Sequence, residues 1–358
     1  MNAREILHYW QGCLKEQLLP DLHGHQTKSL ATLSLGLLWA DHCHSGRLAV
    51  AVPGRAKPAS VRRRLERLLA NRRLRTEKVM QQLAKAVLGS WFGRPLLLIL
   101  DETPKANDLR CLKVSVAYRH RAVPLLGICY RPDQLPEPLP QLVWKLLRRV
   151  ARCLPDEVEV TLLADRGLAW PLLLDLCQAW GWHYLLRIQG STRVVLPDGR
   201  EAAVQQLAPR PGRQWVGSGQ VFKKAGWRPA NLVALWPKGS KEPWLLITDQ
   251  PASLRCCRRY LKRTWTEESF RDEKSQGFRW QLSRVYDPQH AQRLVLLMAL
   301  ATLLALSLGT WVLKRGLRHD LESTRRRRLS YFQLGLRWLK HALVESSGVS
   351  CRLHLCPP

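Results

Sequence analysis

Leu96-Leu97-Leu98-Ile99-Leu100-Asp101 is the stretch that decides how this chain is read. Five apolar residues run unbroken behind Pro95 and end in an acid, the pattern of a strand buried on both faces with a carboxylate at its C-terminal exit. The pattern returns at 158–165, where Val158-Glu159-Val160-Thr161-Leu162-Leu163-Ala164 leads into Asp165-Arg166-Gly167. Between them two more strands are expected, over 112–118 and 123–130, joined by the polar turn Arg119-His120-Arg121. A helix over 139–153, another over 172–180 and a short strand over 183–188 extend the series. The order strand, strand, strand, helix, strand, helix, strand predicts an α/β fold on a mixed sheet.

Upstream, residues 1 to about 85 read as helical, with periodic leucines at Leu14, Leu18, Leu19 and at Leu30, Leu33, Leu37, Leu38, interrupted near Pro53-Gly54 and Pro58. Ser60 is the expected N-cap of a helix whose apolar stripe is Val61, Leu65, Leu68 and Leu69. Arg62, Arg63 and Arg67 fall outside that stripe, facing solvent or phosphate. Downstream, 192–248 is rich in Gly, Pro and Trp with short β-prone pieces, and reads as a β-rich insertion. The helical register returns at Ser253. The run 294–313 carries no charge over the length of a membrane span, a composition shared by a helix buried all round in a large core. A last helical part begins near Ser323, behind Arg325-Arg326-Arg327-Arg328.

Composition narrows the partner. The chain has 358 residues, 57 Lys plus Arg against 28 Asp plus Glu, and a formal net charge of +29, with the arginines spread along its length. Such a balance calls for a polyanion, and 15 Trp with 46% apolar residues call for a folded body. Nucleic acid is favoured over a membrane surface. The ten cysteines, in a chain opening Met1-Asn2-Ala3-Arg4-Glu5 without an apolar leader, are expected as reduced thiols of a cytoplasmic protein. Asp41-His42-Cys43-His44 and the tail Cys351, His354, Cys356 contain zinc-ligand types but lack a paired spacing.

The chemistry concentrates in 260–274, which has no Gly or Pro and reads as one helix. Tyr260, Arg263, Glu267 and Lys274 fall near multiples of 3.6 residues, so one face carries an acid flanked by cations. Asp101 and Asp165 at strand exits and Glu267 on a later helix supply three carboxylates to one rim of a sheet. Hard divalent ions take such oxygens, and two of them can clamp the attacking and leaving oxygens of a phosphoryl displacement. Asp101, Asp165 and Glu267 are therefore the expected catalytic metal ligands, for Mg²⁺ or Mn²⁺. Arg263 and Lys274 are placed to hold phosphates, Tyr260 to donate to one, and Arg166 either to do the same or to close a salt bridge. Glu102, Glu268, Asp272 and Glu273 are expected to support the site from outside or to be solvated.

With these motifs in order, the chain resembles the DDE transposases of bacterial insertion sequences, in the IS-four-like branch with the signature Tyr-x2-Arg-x3-Glu-x6-Lys, which Tyr260, Arg263, Glu267 and Lys274 match without a gap. Asp101-Glu102-Thr103 and Ala164-Asp165-Arg166-Gly167 resemble the first and second acid motifs, and Trp244-Leu245-Leu246-Ile247-Thr248 a strand of the family's insertion. The resemblance implies an RNase H-like catalytic domain, two metal ions, cleavage of double-stranded DNA at transposon inverted repeats, and strand transfer to target DNA by the freed 3′-OH. It further implies a hairpin intermediate with a flipped base held by an aromatic residue, matched here by Trp244, and a homodimer on DNA in the bacterial nucleoid, with no membrane. The organisation expected is a helical DNA-binding domain 1–88, the catalytic core 89–191 and 251–315 interrupted by the insertion 192–250, and a basic helical C-terminal region 316–358. A catalytically silent DNA-binding descendant, or an RNase H-like nuclease without strand transfer, is the alternative.

Overall fold

The chain opens in five helices, α1 (Ala3–Cys13), α2 (Gly24–Ala40), α3 (Ser45–Ala51), α4 (Pro58–Ala70) and α5 (Thr76–Leu88), and then turns to β1 (Leu96–Lys105), β2 (Leu109–Tyr118) and β3 (Arg121–Tyr130). Next come α6 (Leu139–Ala151), β4 (Val160–Ala164), α7 (Pro171–Ala179), β5 (His183–Arg187), β6 (Arg193–Val195), β7 (Glu201–Ala203), β8 (Gln214–Val221), β9 (Arg228–Leu235) and β10 (Trp244–Thr248). The chain closes in α8 (Arg255–Tyr260), α9 (Trp265–Arg271), α10 (Pro288–Lys314) and α11 (Tyr331–Val344). These elements come from a computed structural model that describes residues 1–53, 56–105, 109–345, 348–349 and 355. Cys351, His354 and Cys356 lie outside the described residues.

All ten strands form one sheet in the order β3-β2-β1-β4-β5-β10-β9-β8-β6-β7. β1 pairs parallel with β4 and β4 parallel with β5, while β2 and β3 run antiparallel beside β1. A mixed sheet of this order with helices on both faces is consistent with an RNase H-like fold. The stretch read as an insertion continues the same sheet, because β10 pairs antiparallel with β5 and β9 with β10. Its edge-to-edge hydrogen bonds satisfy the backbone groups that β5 would otherwise leave unpaired.

The apolar run finds its explanation in burial. α10 is long and apolar enough to cross a membrane, yet every residue from Arg293 to Gly309 is buried, against β3, α2, α4 and α11. A helix enclosed on all sides needs no polar face. One apolar core extends from Ile6 and Trp10 of α1 through α10 to Leu339 of α11, so the N-terminal helices share it with the sheet. A smaller core on the sheet's other face joins Ile99, Leu163, Leu185, Leu246 and Tyr260.

Two local expectations are corrected. α4 begins at Pro58 rather than behind Ser60, with Lys57 in the capping position. Proline at the first helical position has the required φ and lacks an N–H that would have had no partner, so it sets the start ahead of the serine. The stretch 260–274 is helical throughout but is not one α-helix: Leu261–Thr264 is wound as 3₁₀ and Asp272–Gln276 as π, on either side of α9. α4 does bury Val61, Leu65, Leu68 and Leu69.

Candidate active site

The strand register sets the first two acids side by side. Ile99 pairs with Leu163 and Leu100 with Ala164 across the parallel β1–β4 ladder, so Asp101 and Asp165 sit side by side where that ladder ends; only Asp165 is at a strand exit as expected, because β1 runs on to Lys105 with Asp101 paired to Lys113 of β2. Side chains alternate along a strand, which puts both acids on the face where Ile99 and Leu163 already pack. Asp101 Oδ1 accepts its neighbour Glu102's N–H at 2.9 Å, and Asp165 Oδ1 accepts the N–H of Gly167 at 2.9 Å. Each acid thereby keeps Oδ2 turned toward the third element.

That element is the helical run 255–276. Arg263, from its 3₁₀ turn, sends a guanidinium between the carboxylates: Nη2 lies 3.0 Å from Asp101 Oδ2 and 3.5 Å from Asp165 Oδ2, and Nη1 lies 2.7 Å from Glu267 Oε1. The three expected acids are thus gathered around one cation. Arg263 and Asp101 have side chains only 14% and 8% exposed, whereas Glu267 is 59% exposed. Burial raises the Asp101 carboxyl to about 6, with Arg263 pulling it down and Asp165 pushing it up.

The other expected residues divide. Lys274 is half-buried, its ammonium pKa lowered by burial, partly countered by Glu273 and, more weakly, by Asp101. Tyr260 is buried, its hydroxyl donates to the carbonyl of Ala164 at 3.3 Å, and its ring meets Trp244 edge-on at 6.0 Å. Its role here is to seat the helix on β4; the expected donation to a phosphate is not available to a hydroxyl so placed. Arg166 closes a salt bridge with Glu242 at 2.7 Å, which Arg187 shares at 2.8 Å. Arg62, Arg63 and Arg67 are exposed on α4, far in sequence from the acids, and Arg62 pairs with Glu66 at 2.8 Å.

For Asp272 and Glu273, expected either to support the site from outside or to be solvated, the second alternative falls, since neither is solvated. Asp272 receives Arg121 Nε at 2.6 Å and Glu273 receives Lys113 Nζ at 2.5 Å, with all four side chains less than a tenth exposed. Two buried ion pairs pin the end of the helical run to β2 and β3. A signal for one of them was present in the sequence: Lys113 is the cation of the strand expected over 112–118, and a buried cation requires an acid; Arg121 was hidden in the expected polar turn and is instead the first residue of β3. Glu102 is held by Arg110 at 2.6 Å and by the Tyr130 hydroxyl.

The donor set suits a hard divalent cation by chemistry, being carboxylate oxygen from three elements, and the Arg263 guanidinium marks the point where positive charge is sought. Among the described residues no three acids, histidines or cysteines converge as a metal site, and the Arg263 guanidinium occupies the space between the three carboxylates.

A mixed sheet that brings two aspartates of neighbouring strands and a helical glutamate together on one face offers the oxygen donors that a hard divalent ion takes. Residues 137–304 match the family model described as the transposase DDE domain. The match takes in Asp165, Arg263, Glu267 and Lys274, begins after Asp101, and covers somewhat under half of the chain. It supports a DDE transposase, a kind of enzyme that cleaves DNA and transfers strands with divalent metal ions. No curated protein matches the chain significantly.

Proposed function

We propose that the chain is a DNA transposase of the IS-four-like kind, with Asp101, Asp165 and Glu267 as its catalytic carboxylates. The observation that carries this reading is the gathering of those three side chains, from β1, the exit of β4 and α9, around one cationic centre, two of them, Asp165 and Glu267, in the segment that matches the transposase DDE domain. The acids would hold Mg²⁺ or Mn²⁺. Two such ions supply charge neutralisation at the scissile phosphate and an activated water or 3′-OH.

The protein's own contribution follows from its charges. Asp101 would bind an ion as the carboxylate, and Arg263 would exchange its carboxylate partners for a phosphate of the DNA. Arg263 thus holds the acids together until substrate arrives and grips the backbone afterwards. Lys274 adds positive charge beside it. Trp244, half-buried against Tyr260, is suited to stack a flipped base at the end of β10, a contact worth about 1–3 kcal/mol. Exposed arginines of α4, Arg62, Arg63 and Arg67, extend the grip along double-stranded DNA. Excision and reinsertion of an element bounded by inverted repeats would proceed on a homodimer assembled on DNA in the cytoplasm.

The test is incubation of the purified chain with Mg²⁺ or Mn²⁺ and a duplex carrying the ends of its element. Nicking, hairpin formation and strand transfer are expected, and Asp101→Ala should abolish all three while duplex binding persists. Binding without cleavage by the unsubstituted chain would make it a silent DNA-binding protein, and cleavage without strand transfer a nuclease. Trp244→Ala should retain the first nick and lose the hairpin; equal loss of both removes its assigned role.

A further inference from the structure

A second cationic site lies beside the catalytic helix, on residues that the carboxylate centre does not use. A cavity of about 320 Å³ opens where the β2–β3 turn meets the segment before α11, and its walls include Arg119, His120, Arg327, Arg328, Ser330 and Tyr331. The turn is short, with Arg119 and His120 both in left-handed conformation at φ 46° and 64°, so it presents these two side chains from a tight, strand-anchored corner.

Arg119 is fixed in orientation. Its Nε donates to the Tyr118 hydroxyl at 2.8 Å and its Nη1 to the Tyr331 hydroxyl at 2.9 Å, leaving Nη2 without a protein partner among the described residues. Arg327 lies over the same Tyr331 ring, 4.5 Å from its centroid, with Arg119 at 5.0 Å. Two guanidiniums therefore share one aromatic ring, and Arg328 adds a third cation whose side chain meets no acid among the described residues. The acids nearby are committed elsewhere: Glu268 pairs with Arg271 at 3.2 Å, and Asp272 neutralises Arg121. Three cations gathered against one acid, Glu268, that already pairs with Arg271 repel, and a dianion or diester placed among them removes that cost.

We propose that this cavity binds a backbone phosphate of duplex DNA, anchoring the duplex at a second point away from the scissile bond. Planar guanidiniums match a phosphodiester in fork geometry, which lysines would not do as well. Position supports the link to the catalytic centre: α9 borders both, offering Glu267 to the carboxylates and Glu268 to the cavity rim. Between them the His120 ring packs on Trp265 at 4.9 Å, giving an aromatic surface along which the strand passes. The proposal rests on the nucleic-acid reading of the chain and adds a site to it.

The experiment compares two double variants of the same arginine run, Arg327→Ala/Arg328→Ala in the cavity and Arg325→Ala/Arg326→Ala outside it. All four side chains are exposed, and both pairs remove equal charge. Affinity for a mixed-sequence duplex is measured across a salt series, since phosphate contacts carry no sequence. The cavity variant is expected to bind about tenfold more weakly with a salt slope reduced by about one or more, and the control to change by about twofold at most. Arg119→Lys, which keeps the charge but loses the fork, should also weaken binding, with the salt slope nearly unchanged. Equal weakening by both pairs, or by neither, overturns the site while leaving duplex binding intact. Failure of the unsubstituted chain to bind duplex at low salt overturns the nucleic-acid reading itself, and the site with it.

Discussion

Gly335→Ala should destabilise the chain although it adds only one methyl to a helix. α10 and α11 cross with Gly309 and Gly335 at the contact, and a Cβ on Gly335 would press on the Ala305 carbonyl, 2.7 Å from its carbon and 2.9 Å from the Gly309 nitrogen. Ordinary contact needs about 3.5–4.0 Å between carbons, so the helices must part by about 1 Å. A gap of that size forfeits roughly half of the dispersion well for atoms facing it. Phe332, Leu336 and Leu339 of α11 are buried in this core, each worth about 2 kcal/mol when fully enclosed. Losing about half of that across three side chains costs about 3 kcal/mol, and alanine's better helix propensity returns about 1 kcal/mol. The net is about 2 kcal/mol. Calorimetry should show Tm lower by about 3 °C, given the unfolding entropy expected for a chain of this length. Gly309→Ala should cost a similar amount, because its Cβ meets the Tyr331 carbonyl carbon at 2.7 Å. The double variant should cost less than the sum, the separation being needed only once. A Tm for Gly335→Ala equal to or above wild type refutes the close-approach reasoning.

The buried pairs under the catalytic helix make two further predictions. Lys113→Met leaves Glu273 without a counter-charge at 6% side-chain exposure, and denaturant unfolding should show a loss of about 3–5 kcal/mol. Adding Glu273→Gln should recover most of it; no recovery would mean that Lys113 acts through its packing. Asp101 and Asp272 both have carboxyls raised to about 6, chiefly by burial. A folded pKa above the unfolded one means that the native chain holds more protons, so the stability these groups contribute falls as pH rises from about 4 to about 6. In metal-free buffer Asp101→Asn should therefore gain about 3 kcal/mol on wild type across that window, and a pH-independent difference counts against the burial of Asp101.

The parts of the fold with a local cause were legible in the sequence. Continuous apolar runs gave β1 and β4 because a strand covered on both faces needs nothing else, but the end of the apolar run marked the end of β4 alone, since β1 continues past Asp101 to Lys105 through its pairing with β2. The charge-free run of α10 left membrane and core open, and only the neighbours that enclose it decide. What escaped depends on pairs distant in sequence: Asp272 and Glu273 follow Glu267 in an evidently polar stretch, while their partners Arg121 and Lys113 lie some 150 residues earlier. Arg263 was placed beside Glu267 by its spacing, but its insertion between Asp101 and Asp165 depends on three elements meeting. The extension of the sheet past β5 was likewise hidden, since β-prone pieces do not state which edge they join.

The change of winding along 255–276 bears on how the glutamate is aimed. A 3₁₀ residue turns the chain by about 120° with a rise of about 2.0 Å, an α residue by about 100° with about 1.5 Å. Passing one residue of Leu261–Thr264 between these windings rotates Glu267 by about 20° and slides it by about 0.5 Å, while Tyr260 stays seated on β4 and the Asp272 and Glu273 pairs stay closed. The π turn at Asp272–Gln276 gives slack of the opposite sense. The segment that carries Glu267 is thus clamped at both ends, and the pitch of the turns between the clamps, rather than a hinge, sets where that carboxylate is aimed.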